Sequence, residues 1–358
     1  MLESVVSYVH HRLAIKSLHA NHPTTLIATG DSMLPLISPG TKITILPKKF
    51  SKVKVFDIVA ANTNRQLVVH RCIFKSATYL VCHGLNNRFI DPPLCPQDIL
   101  GIVDIPQHLS LLQLMYHAAI KQVAVNFKKP IIVLKGAPLQ KKIFGYYLAQ
   151  PSSDVDILIK KAHLPKLQHT LQGLGYTQTS LHQNETTYTK NQLNIDVHFS
   201  AIRTHTKTGL SLLSPQFNSC LLLHLQQSTT NLYFLQPSHQ LLYLCLNSFF
   251  HHGFRGLNNY VYIAQIITTS PPNWNTFWRL AKKYHVSNIA FYSLVWTSKF
   301  FKLKIPHLSR HRPGYLARLA HKIFINQSQI LRPLSLKNPL QNKLNSLIII
   351  ILRQCLHD

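Results

Sequence analysis

Apolar residues recur at helical spacing over the first 20 positions (Val5, Val6, Val9, Leu13, Ile15, Leu18), which predicts a helix. From 24 to 104 the period shortens to two. Thr41–Leu46, Asp57–Ala61, Gln66–Phe74, Tyr79–Cys82 and Ile99–Val103 are short runs broken by turns, and they predict an all-β domain that closes at Pro106. Residues 108–127 return to helical spacing and predict a connecting helix. From Pro130 to about 200 strands alternate with helices, the pattern of an α/β domain. Beyond 235 the chain reads as mostly helical, with breaks at Pro271–Pro272 and Pro306. The stretch 201–231, rich in Ser, Thr and Gln, shows no clear period. The chain therefore divides into an N-terminal helix (1–23), a β domain (24–105), a connecting helix (106–129), an α/β domain (130–300) and a helical basic tail (301–358). No segment repeats another.

Inside the β region, Gly30-Asp31-Ser32-Met33-Leu34-Pro35 places a serine in a sharp turn, since glycine before it and proline after it suit a chain reversal. A nucleophilic serine needs a base within hydrogen-bond reach. Val68-Val69-His70-Arg71 offers one on a strand, with His70 facing opposite to Val69 and Arg71. His83-Gly84-Leu85-Asn86-Asn87 and Asp91-Pro92-Pro93 follow. Together with Pro39-Gly40, Asp57-Ile58-Val59 and Ile99-Leu100-Gly101, these elements keep the order of the signal peptidase superfamily, which includes the self-cleaving repressor peptidases. The segment resembles the branch of that superfamily whose base is histidine. The resemblance implies an all-β peptidase domain with Ser32 as nucleophile, His70 as base and Asp91 as the acid that orients the base. It also implies an oxyanion hole to which the Ser32 amide contributes. Leu85 stands where the family carries an aspartate.

In the α/β region, Ile131-Ile132-Val133-Leu134-Lys135-Gly136 reads as a strand ending in a glycine turn, with a helix from about Pro138 to Phe144. Ser152–Ile159 reads as a second strand, with Asp154 and Asp156 on one face and Val155 and Ile157 on the other. A third, Gln192–Phe199, turns Asp196 and His198 one way and Ile195, Val197 and Phe199 the other. Adjacent strands bring Asp154, Asp156 and Asp196 together. Two carboxylates ~4 Å apart repel by about 4 kcal/mol at an effective dielectric of ~20, so the cluster invites a hard divalent cation, and Mg²⁺ suits carboxylate oxygens and substrate phosphates. The helix start after Gly136 offers backbone amides to phosphate, and Lys135 adds a positive charge. These residues, with Gly173-Leu174-Gly175-Tyr176, Ile195-Asp196-Val197-His198 and His251-His252-Gly253-Phe254, resemble the uncharacterised nucleotidyltransferases that carry Leu-Lys-Gly at the first turn. The resemblance implies an α/β nucleotidyltransferase fold with a helical C-terminal region. It also implies a nucleoside triphosphate bound through Lys135 and Gly136, and Mg²⁺ on Asp154, Asp156 and Asp196. The helix around Tyr262 lacks the aspartate usual in that family. The His251-His252 pair, with no acid beside it, reads as a helix-end packing feature.

Composition sharpens this picture in one respect. The chain has 38 Lys and Arg against 11 Asp and Glu, a formal net charge of +27. Such an excess calls for an acidic partner, and nucleic acid, nucleotides and anionic membrane surfaces all qualify. The basic residues form no block, and a biased composition with solvated charge accounts for them equally well. Scarcity of acids is more telling, because five of the eleven (Asp57, Asp91, Asp154, Asp156, Asp196) fall on motif positions. The six cysteines show no metal-ligand spacing and read as reduced thiols. The longest aliphatic run, Leu347–Leu352, is far short of the roughly 20 residues of a membrane helix. A cytoplasmic protein is expected, with any membrane contact peripheral and no transmembrane segment. The combined expectation is a multidomain, bifunctional protein: a serine peptidase acting on a peptide or protein, and an Mg²⁺-dependent nucleotidyltransferase acting on a peptide, protein or small acceptor. The alternative keeps both folds without catalysis, as a binding or regulatory protein whose basic surface holds nucleic acid or membrane.

Overall fold

The computed structural model describes residues 12–315, apart from 35, 64–65, 105–107, 147–153, 183, 192, 203–220, 222–224, 230, 253 and 255, together with 318. The chain divides into two units, Met1–His108 and Leu109–Asp358.

In the first unit six strands form one antiparallel sheet in the order β1-β2-β6-β3-β4-β5. They are β1 Thr24–Ile27, β2 Lys42–Pro47, β3 Ile58–Thr63, β4 Gln66–Lys75, β5 Leu80–His83 and β6 Ile99–Val103. Five coincide with the runs read as strands. The sixth, β1, is a four-residue edge strand with only alternate half-buried positions, too short for its period to stand out. Alternation along β3 explains why the sheet has a core on each side. Ile58 and Ala60 pack with Ile15, Leu18, Met33, Ile43 and Ile45, while Val59 and Ala61 pack with Cys72, Leu80, Cys82 and Leu94. Helix α1, residues 12–19, supplies Ile15 and Leu18, so the described part of the expected N-terminal helix covers the sheet.

The second unit holds a seven-stranded mixed sheet in the order β12-β13-β7-β8-β11-β10-β9. Its strands are β7 Ile131–Val133, β8 Val155–Leu158, β9 Thr177–Leu181, β10 Glu185–Lys190, β11 Leu193–His198, β12 Leu225–Thr229 and β13 Leu232–Leu235. β8 runs parallel to β11 and β7 parallel to β13, while β7 and β8 are antiparallel. Val155 and Ile157 of β8 and Ile195 and Val197 of β11 are buried in one core with Tyr116, Ile120, Val123 and Phe127. Those last four lie on helix α2, His108–Phe127. The helix read as a connector is thus part of this unit's core. Each fully buried aliphatic side chain contributes roughly 1.5–3 kcal/mol. Four of them outweigh the few kcal/mol by which carboxylates on the opposite sheet face repel one another.

Helix α3, Ala137–Phe144, follows β7, and α4, Leu164–Gly173, lies between β8 and β9. Four further helices complete the described part: α5 Pro237–Phe250, α6 Leu257–Thr269, α7 Trp274–Lys283 and α8 Ser287–Phe301. Breaks fall at the expected prolines, between α6 and α7 and after α8. Residues 302–312 form turns and one short 3-10 segment, and most of the expected basic helical tail lies outside the described residues. Among the described residues no helix is long and apolar enough to cross a membrane. Among the described residues Cys72, Cys82, Cys95 and Cys245 are free thiols.

Candidate active sites

In the second unit the chemistry gathers on the sheet face opposite the apolar core. The parallel register pairs Asp196 with Asp156, and Asp154 stands two residues before Asp156, immediately ahead of β8. β7 reaches the same point from the other side: the Leu134 amide donates to the Asp156 carbonyl at 2.9 Å. The next residue, Lys135, brings its Nζ to 3.6 Å from Asp156 Oδ2. On the far side His198 Nε2 donates to Asp156 Oδ1 at 2.8 Å. Asp156 is only 8 % exposed. Burial alone would raise its pKa. The Lys135 ammonium, the His198 hydrogen bond and the charges of His198 and His251 outweigh that and hold the carboxyl well below the usual range. Asp196 goes the other way: burial, and then the charge of Asp156, raise it against the pull of the 2.7 Å hydrogen bond donated by Thr187. The face thus combines one neutralised carboxylate with one that favours added positive charge.

That is the observation on which a divalent cation can be tested. The donor set suits one, since Asp154, Asp156 and Asp196 are hard oxygen donors and two of them are in register on neighbouring strands. Their spacing is looser than the sequence implied: among the described residues no three His, Cys, Asp or Glu side chains are gathered into a ready cation site. A cation there would have to draw Asp154 and Asp196 inward, since Asp156 already shares its oxygens with Lys135 and His198.

Gly136 caps α3 at φ 91°, ψ −170°, a conformation open essentially to glycine alone. A Cβ there would lie 2.9 Å from the Val155 Cα and 3.0 Å from the Asp154 carbonyl oxygen. The turn therefore packs directly under the acidic strand and holds Lys135 against it. Gly136→Ala is expected to destabilise the second unit by about 1–3 kcal/mol from backbone strain alone, and the clash with backbone atoms adds to that. A lower urea midpoint checks it, and an unchanged midpoint contradicts it.

Three contributors escaped the sequence reading. Glu185 is buried behind His198, with Oε2 3.4 Å from Nδ1. His251, read as a packing residue, adds to the field at Asp156 from the end of α5. Burial pushes the Tyr262 phenol up; a hydrogen bond with Gln140 opposes this, and the charges of Asp154 and Asp156 add to it. An aromatic hydroxyl thus stands near the carboxylates on the helix that lacks the expected aspartate. The one signal that could have found Glu185 is scarcity: between 105 and 357 the chain has four acids, Asp154, Asp156, Glu185 and Asp196.

In the first unit, Ser32, His70 and Asp91 form a continuous chain. Ser32 Oγ lies 3.0 Å from His70 Nε2, and His70 Nδ1 lies 2.6 Å from Asp91 Oδ2. The Ser32 turn is tied to the 84–87 loop, because the Asn86 amide donates to the Ser32 carbonyl at 2.8 Å and Asn86 Nδ2 to the Asp31 carbonyl at 3.3 Å. His83 Nε2 stands 3.1 Å from the Asn87 carbonyl and steadies the same loop; burial lowers the pKa of that imidazole. Leu85 packs, partly buried, against the core that includes Met33, so Asp91 alone in this set supplies the acid to His70. Arg71 turns to the other face, 5.6 Å from the centre of the Phe56 ring, and burial lowers its pKa to about 10. Asp57 is a turn residue: it accepts from the Lys54 amide at 2.9 Å and pairs with Lys48 at 3.3 Å.

Such a chain can take a proton from the serine hydroxyl through His70 while Asp91 holds the other ring nitrogen. Gly84 makes room for it. A Cβ at 84 would meet Asn87 Nδ2 at 2.7 Å and His70 Nε2 at 2.9 Å. Both are side-chain atoms rather than backbone, so Gly84→Ala is expected to push the His70 ring off its contacts with Ser32 and Asp91. Misplacement by about 1 Å can cost ~10²-fold in rate. We expect a drop of that order in the rate at which a fluorophosphonate labels Ser32 in the folded protein. Labelling at the unaltered rate would show that the ring is not held as described.

No curated protein and no solved structure matches the chain. The model of the uncharacterised nucleotidyltransferases matches residues 107–302, more than half of the 358 and including Lys135, the three aspartates and helices α2 to α8. The match begins at α2, in keeping with that helix lying in the core of the second unit, and the chain belongs to the uncharacterised nucleotidyltransferase family.

Proposed function

We propose that the second unit transfers a nucleotidyl group from a nucleoside triphosphate to a hydroxyl, amine or carboxylate of a peptide, protein or small acceptor. The observation that carries this is the pairing of Asp196 with Asp156 on one sheet face, with Lys135 brought to the same carboxylate from the neighbouring strand. The acceptor attacks the α-phosphorus and pyrophosphate leaves. Asp154, Asp156 and Asp196 are the residues that would hold Mg²⁺, which when bound supplies charge neutralisation for the phosphates. Lys135 and the amides at the start of α3 are the groups that would meet phosphate oxygens; Pro138 removes one of those amides, leaving Ala137 and Leu139. Lys135, already set against Asp156, positions a positive charge without a long search among side-chain conformers. The test is incubation of the full chain with Mg²⁺ and each α-³²P nucleoside triphosphate, with mixed peptides and small acceptors. Label on an acceptor, lost with EDTA and in Asp154→Ala/Asp156→Ala, is the expected result. Well-folded protein that neither binds nor consumes any triphosphate would end the reading.

A second reading is carried by its own observation, the 3.0 Å and 2.6 Å links of Ser32, His70 and Asp91. We infer that the first unit cleaves a peptide bond. Ser32 Oγ attacks the carbonyl carbon, His70 Nε2 takes the hydroxyl proton and returns it to the leaving amine, and water then hydrolyses the acyl-serine. The substrate is a peptide or protein segment.

A further inference from the structure

The described residues of the second unit contain a single acid outside the aspartate cluster, Glu185, and it is buried, 5 % exposed. Burying a carboxylate costs several kcal/mol unless it is compensated, and a chain so poor in acids gains nothing obvious from one inside. Its surroundings point to a use. The antiparallel register sets Glu185 directly opposite His198 and Thr187 directly opposite Asp196. β10 therefore backs Asp196 and His198 of β11: Thr187 donates to Asp196 Oδ1 at 2.7 Å, and Glu185 Oε2 stands 3.4 Å from His198 Nδ1, an ion-pair contact without hydrogen-bond geometry. His198, 4 % exposed, in turn donates from Nε2 to Asp156 Oδ1 at 2.8 Å.

We propose that Glu185 is a positioning residue: it holds the His198 ring so that Nε2 keeps Asp156 Oδ1, leaving Oδ2 turned to the cation-binding face. This rests on the nucleotidyltransferase reading of that face. The argument is geometric. A histidine ring has two orientations related by a half-turn, and the flipped one puts a carbon where a nitrogen now faces Asp156. A carboxylate at Nδ1 favours the orientation with nitrogens at both ends. With Oδ1 committed, the Asp156 carboxylate cannot rotate freely, and Oδ2 stays 3.6 Å from Lys135 Nζ, the oxygen that a cation would have to share with that ammonium. Partners that orient the donors of a metal site are typically worth 10–100-fold in metal affinity.

The experiment is titration of the full chain with Mn²⁺, read by the electron-spin signal of the free ion, on wild type, Asp156→Asn, Glu185→Gln, His198→Gln and the Glu185→Gln/His198→Gln pair. Melting curves check that each is folded. Expected are loss of binding in Asp156→Asn and a 10–100-fold weakening in Glu185→Gln. His198→Gln, whose amide can still donate to Asp156 but has no ring to orient, should weaken binding too, and the pair should be no weaker than His198→Gln alone. That last equality is a readout that loss of packing would not produce. Wild-type affinity in Glu185→Gln beside lost affinity in Asp156→Asn overturns the positioning role and leaves the site reading intact. An equal further loss in the pair overturns it as well, because Glu185 would then act without His198. No Mn²⁺ binding by wild type overturns both the role and the reading beneath it. Should Glu185→Gln fail to fold, Glu185→Asp, which keeps the charge with a shorter reach, enters the same cycle and decides in the same way.

Discussion

If the first unit is the peptidase proposed above, Ser32→Ala is expected to abolish fluorophosphonate labelling of the chain and to lower peptide-bond cleavage by on the order of 10⁶-fold. His70→Ala should cost about as much, and Asp91→Ala less, on the order of 10⁴-fold. The ranking follows from the chain of contacts. In the proposed mechanism Ser32 Oγ, 3.0 Å from His70 Nε2, supplies the electron pair. Without His70 the hydroxyl keeps its proton. Without Asp91 the imidazole loses its 2.6 Å anchor at Nδ1 and spends its time in the wrong orientation, yet the base is still present. Because the three act as one device, the Ser32→Ala/His70→Ala double variant should be no slower than either single one. Stability should barely respond to Ser32→Ala, since a neutral hydrogen bond is worth about 0.5–1.5 kcal/mol net. A Ser32→Ala protein that still labels and still cleaves at the parent rate places the nucleophile elsewhere.

Asp156→Asn should lower nucleotidyl transfer by on the order of 10²–10³-fold, the usual loss when one electrostatic group of an active site is neutralised. The substitution is isosteric, so packing is kept. What goes is the charge that Lys135 at 3.6 Å and His198 at 2.8 Å are arranged around. Lys135→Met probes the same contact from the other side and carries a pH signature. The Asp156 carboxyl is held below its unfolded value, so its stabilisation is fully present above the ordinary carboxylate range and is lost as the pH falls through the depressed folded value. Removing the ammonium raises that folded value, and the acid-unfolding midpoint should move to higher pH. Asp196 has the opposite sign. Its folded value is raised, so its contribution is present below the ordinary range and is lost as the pH climbs through the raised value. An acid midpoint unmoved in Lys135→Met would mean that Lys135 does not neutralise Asp156, and a transfer rate untouched in Asp156→Asn would remove the carboxylate from the mechanism.

Much of this was legible in the linear pattern. Period two along β8 and β11 put Val155, Ile157, Ile195 and Val197 on one side and the aspartates with His198 on the other, and the sheet follows it. The order of Ser32, His70 and Asp91 in their motifs named the three residues that meet in the first unit. The pattern also placed α2, but not its role: periodicity reports that a helix has an apolar face and is silent on what covers it.

What the sequence by itself determined, then, is which residues share a face, because alternation and helical spacing are local properties of the backbone. Which residues meet across faces was decided only by the tertiary structure, because strand register and helix docking are settled by the packing of distant segments. Asp91, named by resemblance alone, stands 2.6 Å from His70 Nδ1 only because the fold brings the two segments together. Lys135 was read as a phosphate ligand, and the antiparallel pairing of β7 with β8 sets it against Asp156 as well. His251 acts on Asp156 from almost a hundred positions away. Glu185 belongs to no motif and became visible only when β10 paired with β11 and set it behind His198, a consequence of hairpin register that no spacing along the chain encodes.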